Sequence, residues 1–183
     1  SCNGCGTAEV SPPWPDARTV SRPVRDLRPV RQGSACRGLV SHLDQVSHCR
    51  HSKDFRAVEA KGILFGYSPS KRRFENLGAD DKNGIFICLE CLKKYDTIKI
   101  AFFREEETGC AGSSNADMPF FNDVRFVIQP DRKGNSDLIT SIGFSELCSD
   151  EFIEAVKPEE WGYKENNGLL TDVMVLKGNG MGV

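Results

Sequence analysis

Through the second half of the chain, short apolar runs alternate with polar, glycine-containing breaks. Ile98, Ile100 and Phe102 share one face of an alternating stretch, the period of a half-buried strand. Gly62–Tyr67, Phe120–Ile128 and Asp137–Phe144 read as further strands, and Leu169–Leu176 as the last. The run Gly84–Leu89 reads as a strand leading into Cys88 and Cys91. Leu39, Leu43 and Val46 have helical spacing, so residues 35–60 are predicted helical. A second short helix is expected over Ser145–Lys157, ended by Pro158.

These elements predict an α+β, β-rich fold. Residues of about 62–176 should form an antiparallel sheet or β-sandwich, preceded by a zinc-knuckle and helical portion. Residues 7–34 carry prolines at 12, 13, 15, 23 and 29 and keep no hydrophobic period. The division expected is therefore an extended arm, 1–34, and a single domain, 35–183. Arg22, Arg25, Arg28 and Arg31 recur every third residue. Polyproline II has three residues per turn, so an extended arm would line them along one edge, suited to phosphates or to an acidic protein groove.

Composition narrows the classes. The chain has 183 residues, 39% of them hydrophobic, and a formal net charge of -2, which argues against general affinity for polyanions. No apolar run is long enough to span a bilayer. Asp117, Asp123, Asp131 and Asp137 are scattered and read as surface carboxylates rather than a calcium loop.

The eight cysteines carry the chemistry that the pattern suggests. Cys88-x-x-Cys91, following an apolar run, resembles a zinc knuckle, whose turn aims two sulfurs at one point. Cys2-x-x-Cys5 opens the chain. Cys36, Cys49, His42, His48 and His51 lie between the two pairs. A structural zinc needs four sulfur or nitrogen ligands. Cys88 and Cys91 could be completed by Cys2 with Cys5, or by Cys36 with Cys49, His48 or His51. Disulfides in a secreted protein are the competing use of the same residues.

No H-E-x-x-H, G-x-S-x-G or phosphate-binding glycine loop is present. The expectation is a non-catalytic, intracellular module (cytoplasmic or nuclear) stabilised by structural zinc and binding a protein partner, as a subunit of a larger assembly. The alternatives are a nucleic-acid binder using the arginine edge, and a secreted disulfide-stabilised binding domain.

Overall fold

The computed structural model describes residues 19–20, 36–46 and 51–181. In chain order, strands β1 (Thr19–Val20), β2 (Cys36–His42), β3 (Arg56–Ala60), β4 (Ile63–Ser68) and β5 (Arg73–Glu75) precede helix α1 (Ala79–Lys94). Then come β6 (Ile98–Phe103), the short α2 (Ala111–Ser114), β7 (Val124–Ile128), β8 (Asp137–Ile142) and β9 (Ser145–Glu146). Helix α3 (Asp150–Val156), β10 (Lys164–Gly168) and α4 (Asp172–Gly178) complete the described part.

Helices and strands are mixed, as expected, and the strands fall into three small sheets. The expectation of an antiparallel sheet or sandwich needs correction. The principal sheet has the order β1-β6-β2-β7, and β2 runs parallel to both β6 and β7. Only the two-residue β1 is antiparallel there, pairing Thr19 with Ala101 and Val20 with Ile100. β3–β4–β5 form a separate antiparallel sheet, and β10, β8 and β9 form the third.

The parallel sheet is covered on both faces. Leu39 and Ile100 meet Cys88 of α1 on one face, with Cys91, Leu92, Ile98 and Phe102 around them. Val40, Ala101, Phe103 and Val127 meet Val173 and Leu176 of α4 on the other. The β2-to-β6 connection thus uses one face and the β6-to-β7 connection, with Met118 and Phe120, the other. In such α/β sheets the crevice beyond the carboxyl ends of the strands, where connections diverge, is the place for a ligand.

Several expected elements change type, each for a physical reason. Residues 36–42 form a strand, not the start of a helix. All of β2 but Arg37 is buried, the continuous apolar signature of a strand covered on both faces. Leu43 and Val46, which completed the helical spacing, are exposed. Residues 84–94 are helical, so Cys88 and Cys91 follow no strand and sit on no knuckle turn. The run is long enough for either structure. Asp80 and Asp81 in its first turn, and Lys93 and Lys94 in its last, match the helix dipole. Leu169–Leu176 is likewise not a strand, because Thr171 precedes helix α4 and Val173 and Leu176 bury one face of it. The helix expected over Ser145–Lys157 begins later, at Asp150, where the Ser149 side chain accepts from the Phe152 N–H.

Candidate metal centre

His42 ends β2 with its side chain almost wholly buried. β6 ends at Phe103, and the chain turns at once through Glu106 and Glu107. β7 ends at Ile128, and Asp131 follows. Because β6, β2 and β7 are parallel neighbours, these carboxyl ends lie on one edge. The first turn of α1, with non-helical torsions at Asp80 and Asp81, brings two more carboxylates to it.

His42 Nε2 lies 3.0 Å from Asp80 Oδ1 and 3.5 Å from Asp131 Oδ2, while Nδ1 lies 3.4 Å from Asp44 Oδ1. Two groups have their ligand atoms within 4.8 Å of one another: His42 with Glu106 and Asp131, and His42 with Asp80 and Glu107. The His42 Nδ1 and Glu107 Oε1 atoms are buried without a hydrogen-bond partner.

Neighbouring groups hold this cluster in place. Asp44 accepts from the backbone N–H groups of Glu106 (3.1 Å) and Glu107 (3.2 Å), fixing the loop after β6 beneath His42. That loop closes tightly, with Gly112 N donating to Arg104 O at 3.0 Å. A Cβ at Gly112 would strike the Arg104 backbone. Asp81 faces inward: its carboxylate accepts from Ser41 Oγ at 2.6 Å and from Gly84 N at 2.9 Å. A Cβ at Gly84 would collide with that carboxylate. Gln129 Nε2 donates to Asp131 Oδ2 at 3.0 Å, and its Oε1 accepts from Thr171 Oγ1 at 2.6 Å, tying Asp131 to the start of α4. Asp172, fully buried there, accepts from Ser113 Oγ at 2.5 Å.

The electrostatics follow from crowding acids around one imidazole. Burial disfavours the charged ring of His42. The hydrogen bond to Asp131 and the charges of Asp131, Glu106 and Asp81 outweigh it and raise its pKa to about 10. Burial raises Glu106 to about 7, against the pull of His42 and with the repulsion of Asp131. Burial likewise raises Asp81 and Asp172 to about 6 each, although Ser41 and Ser113 donate to them. Burial also lifts Glu107. Asp131 goes the other way: burial would raise it, but the His42 hydrogen bond and charge hold it below the usual range. Acids crowded in this way gather positive charge, which here is the His42 ring itself or a cation in place of its proton.

The sequence-predicted ligands are distributed differently. Cys88 is buried against Leu39 and Ile100 on α1, and Cys91 lies at the edge of that cluster. Cys36 belongs to the core on the opposite face of the sheet. Burial pushes the Cys88 thiol up to about 12 and also raises Cys36. His51 stacks on Phe55, and its Nε2 lies 2.7 Å from the Asn76 carbonyl oxygen. Among the described residues no cysteine joins a metal-type group, and Cys36, Cys88, Cys91, Cys110 and Cys148 are free thiols. Cys2, Cys5, His48 and Cys49 lie outside the described residues, as do Arg22, Arg25, Arg28 and Arg31.

Sequence reasoning missed Asp44, Asp80, Glu106 and Glu107 and read Asp131 as a surface carboxylate. The available signal was positional: each acid, or pair of acids, lies near the end of an apolar run or, for Asp80, the start of a helix. No described helix is long and apolar enough to cross a membrane. Compared with family models, curated proteins and solved structures, the chain matches none of them.

Proposed function

We propose that the protein is a divalent-metal-dependent hydrolase acting on a carboxylic amide, such as a peptide bond, or on an ester. The observation that carries this reading is the meeting of His42 with Asp131, Glu106 and Glu107 at the carboxyl ends of three parallel strands, joined by Asp80 from the first turn of α1. One imidazole with several carboxylates suits zinc or manganese, so the expected zinc is kept here with different ligands and a catalytic role. The two groups share His42, whose Nε2 offers a single lone pair, so the layout supports one ion.

When bound, the ion supplies Lewis acidity and lowers the pKa of water. With His42, Asp80, Asp131 and Glu107 as the ligands, Glu106 is the acid of the cluster left to serve as general base and then general acid. It accepts a proton as the water oxygen bonds to the acyl carbon. It returns that proton to the leaving nitrogen or oxygen as the acyl bond breaks. Asp44 faces His42 Nδ1 at 3.4 Å, near enough to hold the ring by charge, and accepts from the Glu106 and Glu107 amides. Asp80 is half exposed and marks the open side from which substrate arrives.

The charge balance favours a neutral acyl group over a phosphate. Asp44, Asp80, Asp81, Glu106, Glu107, Asp131 and Asp172 surround the site, so the charge of a phosphate would have to be met by the ion itself. Lys82 is engaged by the Leu77 and Gly78 carbonyls, and Arg132 by Asp137. The test is metal analysis of the purified chain, followed by hydrolysis assays on amino-acid anilides, dipeptides, carboxylic esters and p-nitrophenyl phosphate. Cleavage of an anilide, dipeptide or ester, lost on chelation and restored by zinc or manganese, is expected. Absence of tight metal binding, or cleavage of the phosphate alone, would overturn the reading.

A further inference from the structure

A cleft of about 870 Å³ opens beside the metal centre, between α1, the edge strand β7 and the segment that follows it. Asp131 and its partner Gln129 line this cleft, so its wall continues into the candidate centre. Beside Asp131 the lining is polar, with Arg132, Asn135 and Asp137, and farther round it is largely apolar, with Phe86, Ile87, Ile128, Trp161, Leu169 and Leu170. These last six are well exposed, from 42% at Ile87 to 85% at Leu169. Large apolar side chains scattered singly are ordinary on a surface, but a group of them around one concavity marks a binding site. The volume is in the range of small-molecule pockets and accommodates an aromatic or branched aliphatic group with room for its flanking atoms.

We propose that this cleft is the specificity pocket of the hydrolase and takes a large apolar side chain of the substrate, next to the scissile amide. This inference rests on the proposed hydrolase reading. The occupant follows from the continuity of the wall. A group bonded to an acyl carbon held at Asp131 has the cleft as its adjoining volume, since Asp131 belongs both to the cluster and to the cleft wall. Gln129 stands at the junction, with one end on Asp131 and the other on Thr171. It thereby couples occupancy of the cleft to the position of a metal-facing carboxylate.

The test uses the full chain, metal-free and zinc-loaded, and compares binding of N-acetyl-L-phenylalaninamide with that of N-acetylglycinamide by calorimetry. The phenylalanine amide should bind at least about tenfold more tightly in one form or both. The double variant Phe86→Glu, Leu169→Glu changes side chains that are mostly exposed, so the fold should survive; it should erase the difference while keeping zinc binding. Equal affinity for the two amides in both forms, or a preference that the double variant leaves intact, would overturn the inference. Failure to bind zinc or to hydrolyse any acyl substrate would overturn the hydrolase reading instead. The amide preference of the metal-free chain would still decide whether the cleft receives an apolar side chain.

Discussion

The Nδ1 atom of His42 lies 3.4 Å from Asp44 Oδ1, while Nε2 on the far side of the ring faces Asp80 at 3.0 Å and Asp131 at 3.5 Å. An aspartate two residues past the histidine therefore addresses the nitrogen that the candidate metal does not use. Its own oxygens also receive the Glu106 and Glu107 amides. Replacing it tests orientation separately from ligation. Asp44→Asn should keep the fold, weaken zinc affinity by about 10–100-fold and lower activity, as read by calorimetry and turnover. Unchanged affinity would remove Asp44 from the positioning role.

Glu106→Gln keeps the shape of the side chain and removes its proton-accepting capacity. Turnover should fall by about 10²–10⁴-fold with zinc content nearly unchanged. The metal-free variant should also melt higher than the parent at pH 8, since an unfavourable buried charge has gone. A variant that loses zinc outright would assign Glu106 to ligation instead.

The pH dependence of the metal-free protein follows from the same acids. Glu106, Asp81 and Asp172 have folded-state pKa values of about 7, 6 and 6, above their unfolded values, so the folded form holds more protons between about pH 4 and 7. Stability should rise as pH falls through that window. His42, raised to about 10, acts in the same direction: its contribution is complete below about pH 6.5 and lost as pH rises through 10. The melting temperature of the metal-free chain should therefore be several degrees higher at pH 5.5 than at pH 8. Zinc requires the deprotonated ligands, so its stabilising increment should shrink over the same fall in pH. Calorimetric scans with and without zinc check both trends, and a metal-free protein that loses stability toward pH 5.5 would contradict them.

Cys88 separates the knuckle from the acidic centre. In α1 it contributes a buried small side chain packed on Leu39 and Ile100. Cys88→Ser should cost about 1–3 kcal/mol in denaturant unfolding, as a hydroxyl buried among apolar groups does, and leave bound zinc unchanged. Loss of stoichiometric zinc from a folded variant would restore the cysteine site.

By itself, the pattern of residues determined where several strands lie. Ile98–Phe103, Val124–Ile128 and Ile63–Tyr67 alternate or cluster apolar side chains over strand length, a local property that needs no partner to be read. It also suggested metal ligands, but set them on the cysteines with His48 or His51 and left His42 out of the ligand set. The types of β2, α1 and α4 were decided by tertiary burial. A strand covered on both faces has no alternation to display. The helix α1, apolar over Ile85–Leu89, leaves Phe86, Ile87 and Leu89 exposed and so blurs its own period. The candidate centre is likewise a product of the fold. His42, Asp80, Glu106 and Asp131 are separated by tens of residues, and no local spacing rule connects them. Parallel pairing of β2 with β6 and β7 sets their carboxyl ends side by side, and the first turn of α1 adds Asp80. The C-x2-C spacing was visible because it is local; the acidic cluster depends on long-range strand order, which a one-dimensional pattern does not encode.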